Sequence, residues 1–423
     1  MTVAVFPARV SLLKEESKEL AIIGGGPAGL RVAEVASAAG LAVTLYEGKR
    51  SVGRKFLVAG KGGFNITHAE ELEAFATRYR GGREMPEDFW HQTLEGFDNQ
   101  NIRGWAARLE VGTFVAKSGR VYPKALKAAP LLRAWIRRLK AQGVKFEVKH
   151  RLVGLEKVES REEQANRYRL RFESEGEEKT VESDAVVLAL GGASWPQTGS
   201  DGTWTSLLEK LGVAVTPMTA ANCGWEVAWP EGFLAAHEGE ALKNLNLRAG
   251  EEEARGELVI TRYGLEGGPI YQLGPALKRM ASPVLEIDFK PTFHEEKLVA
   301  KMESARRDFL KESKVRWKLS AASCSLLDGL FGPFSSAESL AEVTKRCRLP
   351  LRGPRPVEEA ISSAGGVQWG ELEETLMVKS CPGLFVVGEM IDWEAPTGGY
   401  LMQGCFATGT LVGESIVRYL ASQ

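Results

Sequence analysis

The chain has 423 residues, 44% hydrophobic and 26% charged, which is too long for one ordinary domain and excludes disordered and fibrous classes. Lys plus Arg number 54 against 55 Asp plus Glu, so the net charge of -1 supplies no global field for nucleic acid or anionic lipid. Scattered cysteines without a CxxC pair argue against a disulfide framework or a zinc site, and the absence of a long apolar run argues against membrane insertion; a cytoplasmic address is expected, with no metal.

Residues 1 to 18 carry no clear pattern. Leu20-Ala21-Ile22-Ile23 then forms a short apolar strand that runs straight into glycines. From Gly29 to Ala39 the apolar positions recur at mostly helical spacing, Gly40 is a stop signal, and Ala42 to Tyr46 reads as a second buried strand. Strand, turn, helix and strand make a βαβ unit with parallel strands.

The turn within it, Gly24-Gly25-Gly26-Pro27-Ala28-Gly29, is GxGxxG. Gly24 allows the tight turn, Gly26 lets the backbone approach a pyrophosphate, and Gly29 lets the helix lie close to the strand, with Pro27 and Ala28 at the helix start. Free N–H groups and the positive end of the dipole would meet the phosphates. Glu47 ends the next strand, where its carboxylate can accept from both hydroxyls of an adenosine ribose and would repel a 2′-phosphate, so FAD or NAD fits better than NADP.

Further along, Leu131 to Lys140 is a basic helix whose Arg133, Arg137 and Arg138 read as a solvated face. Val144 to Val148, Arg167 to Phe172 and Ala185 to Leu190 are strands separated by charged turns. Between about 203 and 350 come β-like pieces at Glu257 to Thr261 and Val284 to Phe289. Thr292-Phe293-His294-Glu295 then reads as a capping box, opening a helix with Leu298, Met302, Ala305 and Phe309 on one face. Pro382-Gly383 is a turn and Leu384 to Val387 an apolar strand ending at Gly388, so the C-terminus is expected to complete the first domain.

Gly388-Glu389 would lie at the carboxyl end of that strand, where Glu389 or Asp392 could bond ribityl hydroxyls. A helix beginning near Gly399, in Pro396-Thr397-Gly398-Gly399-Tyr400-Leu401, would turn its N–H groups toward a flavin's pyrimidine edge and raise its electron affinity. Gly409 and Gly413 would let that helix pack closely on the sheet.

With these residues in hand, the chain resembles the bacterial flavoprotein family that includes the BaiN-type bile-acid pathway oxidoreductases and aminoacetone oxidase. The resemblance runs over nearly the whole chain. Its most diagnostic piece is Gly53-Arg54-Lys55 through Gly60-Lys61-Gly62-Gly63-Phe64-Asn65-Ile66-Thr67, although many relatives have Arg-Cys-Asn where this chain has Gly63-Phe64-Asn65. Gly119 to Pro123, Gly191-Gly192-Ala193-Ser194, Gly264 to Pro269 and Ala364 to Val367 follow in the same order.

The resemblance implies a Rossmann-like α/β FAD domain in two parts, 18–202 and 352–423. A β-rich, barrel-like domain (203–291) and a small helical domain (292–351) would interrupt it. It also implies that Gly53, Gly60, Gly62, Gly63 and Asn65 approach FAD, with Arg54 and Lys55 supplying charge. The turn Gly191-Gly192, after a strand that ends in Ala189-Leu190, would support the dinucleotide. With no second GxGxxG there is no dedicated NAD(P)H domain, so a nicotinamide donor would bind transiently against the flavin.

The flavin would carry the hydride chemistry. Tyr400, Arg120 and Tyr122 are the candidate groups for polarising or protonating substrate, and His68 reads as a surface residue at a helix start. Cys405 reads as a buried small apolar residue, and Trp195, Trp204, Trp369 and Trp393 as candidates to wall an apolar pocket. The expected function is an FAD-dependent oxidoreductase acting on a small molecule, reducing a conjugated carbonyl compound with NAD(P)H. An oxygen-dependent amine or alcohol oxidase is the alternative within enzymes, and a non-catalytic or tRNA-directed flavoprotein the alternative outside them.

Overall fold

The computed structural model describes residues 18–59, 63–158 and 167–423. The expected N-terminal stretch, Gly60 and Gly62 lie outside them. Five parallel strands form the central sheet, in the order Leu384–Val386, Ala185–Leu188, Glu19–Ile23, Ala42–Glu47 and Lys145–Val148. The apolar runs LFV and AVVL are buried throughout, as strands covered on both faces must be. The edge strand near the C-terminus pairs in parallel with Ala185–Leu188, so the end of the chain completes the domain begun at its start.

The first helix, Pro27–Ala38, begins with proline at its first turn and crosses between two neighbouring strands. It packs along the last helix, Tyr400–Ser422. A Cβ on Gly409 would lie 2.9 Å from the Ala28 carbonyl, and one on Gly413 2.6 Å from Val35. These glycines therefore admit the first helix, not the sheet as expected from sequence. Within that helix Glu34 is 5% exposed and accepts hydrogen bonds from Arg31, from Trp105 and Trp135, and from Arg138. Arg138 is thus an internal partner and not part of a solvated stripe.

A two-stranded antiparallel ribbon, Val215–Ala221 with Ser362–Val367, joins this domain to a closed six-stranded barrel. The barrel's first strand is Trp225–Val227 and its last is Cys347–Pro354, which follows the helical segment. Against the expected limits at 203 and 351, residues 215–221 form the ribbon's first strand, paired with 362–367, and the closing barrel strand runs to Pro354. Four helices, from Glu295–Ala300 to Ala337–Lys345, are an excursion between two barrel strands and share the barrel's core through Leu298, Leu326 and Leu340. We propose 225–354 as the inserted lobe.

The expected capping box also fails. The helix starts at Glu295 with His294 as an N-cap that makes no side-chain bond. Lys345 Nζ donates to the carbonyls of Lys290 and Phe293 and so closes the preceding turn, which leaves Thr292 outside the helix. The helix ends at Ala300, a turn carries the Ala305 N–H back to Met302, and Phe309 opens a separate helix. Among the described residues no helix is long and apolar enough to cross a membrane, and no group of three ligating side chains could hold a metal.

Candidate functional site

At the carboxyl ends of the parallel strands lies a cleft of about 480 Å³. Gly24 has φ +113°, and a Cβ there would fall 2.2 Å from the Ala189 carbonyl oxygen. Only glycine fits. Gly26, the N-cap of the first helix, has no side-chain cap, and a Cβ on it would meet nothing within 4 Å. The backbone of Gly26, Pro27 and Ala28 therefore faces open space in the cleft at the positive end of a helix dipole. Gly29 touches Gly24 instead: its Cβ would lie 2.1 Å from that carbonyl.

Glu47 lines the same cleft, where its carboxylate accepts from the Gly25 N–H at 2.9 Å and the Lys49 N–H at 2.8 Å. Each oxygen keeps a further lone pair for a hydroxyl. Burial pushes this carboxyl above the usual range, against the pull of those N–H groups and of Lys49 and Arg54. Here the folded chain holds a proton that the unfolded chain releases, so this contribution to stability is full below the ordinary carboxylate pKa and is lost as pH rises through the raised one. Denaturant midpoints of the ligand-free protein should fall across that window. Glu47→Gln should flatten the fall, leaving the part due to Asp392, whose carboxyl burial also raises.

Gly53 caps the short helix Arg54–Val58. Arg54 lines the cleft with a buried Nε that has no partner. Lys55 Nζ donates to Ser194 Oγ at 2.8 Å and pairs with Glu389 at 3.0 Å, which ties the short helix to the end of the last strand. Ala189, Gly191, Glu389 and Leu401 line the cleft. Trp204 joins them and donates to the Gly191 carbonyl. Gly192 and Gly388 lie behind the wall, packed on Ser363 and Ala28. Cys405 closes the floor, its thiol pushed up by burial.

Several expected residues are not brought into this cleft. Asp392 is only 8% exposed and accepts from Thr216 Oγ1 at 2.8 Å, so it ties the ribbon to the sheet domain. Trp369 and Trp393 pack in the core with Phe89, Tyr79 and Trp90 instead of walling a pocket. Arg120 and Tyr122 sit on the strand Arg120–Pro123, with Tyr122 stacked on Phe114, and line neither this cleft nor the second one. His68 is in a strand paired with Arg120 and not at a helix start. Its ring stacks on Tyr400.

Gly399 has φ +102°, caps the last helix, and abuts Thr67, whose backbone a Cβ would meet at 2.5 Å. Beside this elbow Asn65 Nδ2 donates to the carbonyls of Thr67 and Val121, and its buried Oδ1 has no partner. Gly63, with φ +137°, lies against the Tyr122 ring. Tyr400 Oη donates to Glu70 at 2.9 Å, and burial together with Glu70 holds the phenol well above its usual value.

Tyr400 also lines a second cleft, of about 290 Å³, between the sheet domain and the inserted lobe. Arg78, Arg80, Lys278, Asn222 and Tyr271 share that lining. None of these was named from sequence. The only signal near any of them was the string Gly264 to Pro269, which precedes Tyr271.

The model of the HI0933-like protein Rossmann domain matches residues 18–415. The 3-dehydro-bile acid delta(4,6)-reductase of Clostridium scindens is 28% identical, covering 94% of this chain and 98% of its own. A ribosomal RNA dihydrouridine synthase of Haemophilus influenzae is 22% identical, covering 94% and 98%. Among solved structures, a 3-ketosteroid-delta4-(5alpha)-dehydrogenase from Rhodococcus jostii aligns with TM-score 0.52 at 16% identity, covering 98% of this chain and 100% of that one.

Proposed function

The chain belongs to the HI0933-like Rossmann-domain family, and on that premise we propose that it is an FAD-dependent oxidoreductase. Its reaction is the reduction of a carbon–carbon double bond conjugated to a carbonyl, with NAD(P)H as a transient donor. The observation that carries the reading is the open space over Gly26 at an uncapped helix start, in a cleft that also holds the unpartnered Arg54 Nε. An anion with two phosphates suits a dipole end without a side-chain cap and a guanidinium whose Nε has no hydrogen-bond partner. Asn65 Oδ1 supplies an orphaned acceptor at the opposite elbow, so the residues present fit a dinucleotide.

In this reading the backbone of Gly26 to Ala28 and Arg54 hold the pyrophosphate, and Glu47 the adenosine ribose. The Lys55–Glu389 pair and Ser194 order the wall between the two ends. Gly53, Ala189, Gly191 and Leu401 give shape, and Gly63, Asn65, Gly399 and Tyr400 frame the ring end. Bound FAD supplies two-electron hydride chemistry. The last helix, 23 residues long, aims its positive end at that position, where it favours added electron density. The inserted lobe roofs the second cleft, excludes water and receives the substrate.

The relatives' names favour one chemistry. A Δ4,6 double bond beside a 3-oxo group and the C5=C6 bond of a uridine are both conjugated to a carbonyl. Purified protein should therefore be yellow or become so with FAD. In anaerobic mixing NADH or NADPH should bleach it, and testosterone, a conjugated ketone, should restore the colour. Bleaching only by an amine would replace this reading with the oxidase. The dihydrouridine synthase relative favours RNA as a second substrate reading, which a salt-dependent shift of an rRNA fragment would support.

A further inference from the structure

The barrel strand Gly264–Glu266 is followed by Gly267 alone, and the helix Gly268–Lys278 starts at once. Glu266 at the strand end and Tyr271 in the helix's first turn converge across this junction. Tyr271 Oη donates to Glu266 Oε2, and Tyr263 Oη donates to the other oxygen at 2.5 Å. The carboxylate has room because residue 224 is glycine, whose Cβ would stand 2.4 Å from Oε1. Behind Tyr263, the Arg355 guanidinium lies 4.4 Å over the ring and is fixed by Glu226 and Glu359. Of this chain of groups only Tyr271 reaches the second cleft.

We propose that Tyr271 is the hydrogen-bond donor for the carbonyl oxygen of the substrate, with Glu266 and Tyr263 as its positioning residues. This rests on the reductase reading above. Burial and Glu266 hold the Tyr271 phenol well above its usual value, so it keeps its proton and remains a donor. Turning the O–H to a ligand gives up its charge-assisted bond to Glu266 Oε2, while the other carboxylate oxygen keeps the bond from Tyr263; the charge that collects on the ligand oxygen during reduction is what offsets that loss. Tyr400, on the opposite wall, is less available: it is 6% exposed, stacked on His68 and packed at a tilt against Phe75.

The step balances. Bound FAD, reduced by NAD(P)H, would supply the hydride that the β-carbon of the conjugated ketone takes, and would be left oxidised. The C=C pair moves toward the carbonyl, negative charge collects on its oxygen, and Tyr271 stabilises that charge. A proton from water then reaches the α-carbon.

Testosterone is the probe. Infrared difference spectra of the oxidised holoenzyme should show its conjugated carbonyl stretch shifted to lower frequency on binding, and Tyr271→Phe should return the band to its free position. The same variant should lower kcat for testosterone about 100-fold, with KM changed by less than about threefold. Glu266→Gln, which keeps the phenol, should lower kcat about tenfold and leave a broadened shifted band. Each variant's flavin absorption reports that it is folded and loaded. A band shift kept in Tyr271→Phe but lost in Tyr400→Phe, or an unchanged kcat, would overturn the proposal while the reductase reading stands. Wild-type protein that neither shifts the band nor regains colour with testosterone would overturn both.

Discussion

Glu34→Ala should destabilise the protein by about 3–5 kcal/mol, read as a lowered denaturant midpoint in tryptophan fluorescence. The size follows from what the carboxylate joins. Trp105 and Trp135 come from two other helices, and their indole N–H groups reach it at 2.9 and 3.1 Å; Arg31 and Arg138 add guanidinium contacts at 3.0 Å. Removing it leaves two buried indole donors and two cations without their acceptor, inside a cluster where Trp105, Trp135 and Phe406 pack ring against ring. Glu34→Gln keeps an acceptor oxygen and should cost less, about 1–3 kcal/mol. The helix that Glu34 anchors also presents Gly26 to the cleft, so dinucleotide affinity should fall with stability in the alanine variant. An unchanged midpoint would mean that ring packing alone fixes the three helices.

Glu34 also shows what a sequence conceals. A glutamate in a helix reads as solvated, and its partner Arg138 lies about a hundred positions away in a helix that itself reads as a basic surface. The pairing exists only after the helices pack. Parallel strands such as AVVL at Ala185–Leu188 and LFV at Leu384–Val386 are legible because burial on both faces demands an unbroken apolar run. The turn Gly24 to Gly29 is legible because its conformation is local. The barrel strand Ala241–Ala249 is not, since a register shift between Leu242 and Leu245 breaks its alternation. Asp392 was placed near the cleft by its sequence distance from Gly388, yet the chain turns inward there and Thr216 takes the carboxylate. Tyr271 carried no signal of its own, because its link to Glu266 arises at a strand-to-helix junction.

Gly26→Ala should weaken FAD binding about 100-fold, or roughly 2.7 kcal/mol, while changing the stability of the ligand-free protein by less than about 1 kcal/mol. The separation is possible because of where the added methyl goes. Gly26 has φ −78°, which alanine adopts freely, and no protein atom lies within 4 Å of its Cβ position. Only a ligand lying against the backbone can feel the substitution. Gly24→Ala is the contrast, since its Cβ would sit 2.2 Å from the Ala189 carbonyl at φ +113°, so it should lose stability and FAD together whatever the ligand's position. Flavin fluorescence quenching titrations beside denaturant midpoints distinguish the two variants. If Gly26→Ala bound FAD as tightly as wild type, the space above that residue would not hold the pyrophosphate. The cleft would then need another occupant, whatever the fate of Gly24→Ala.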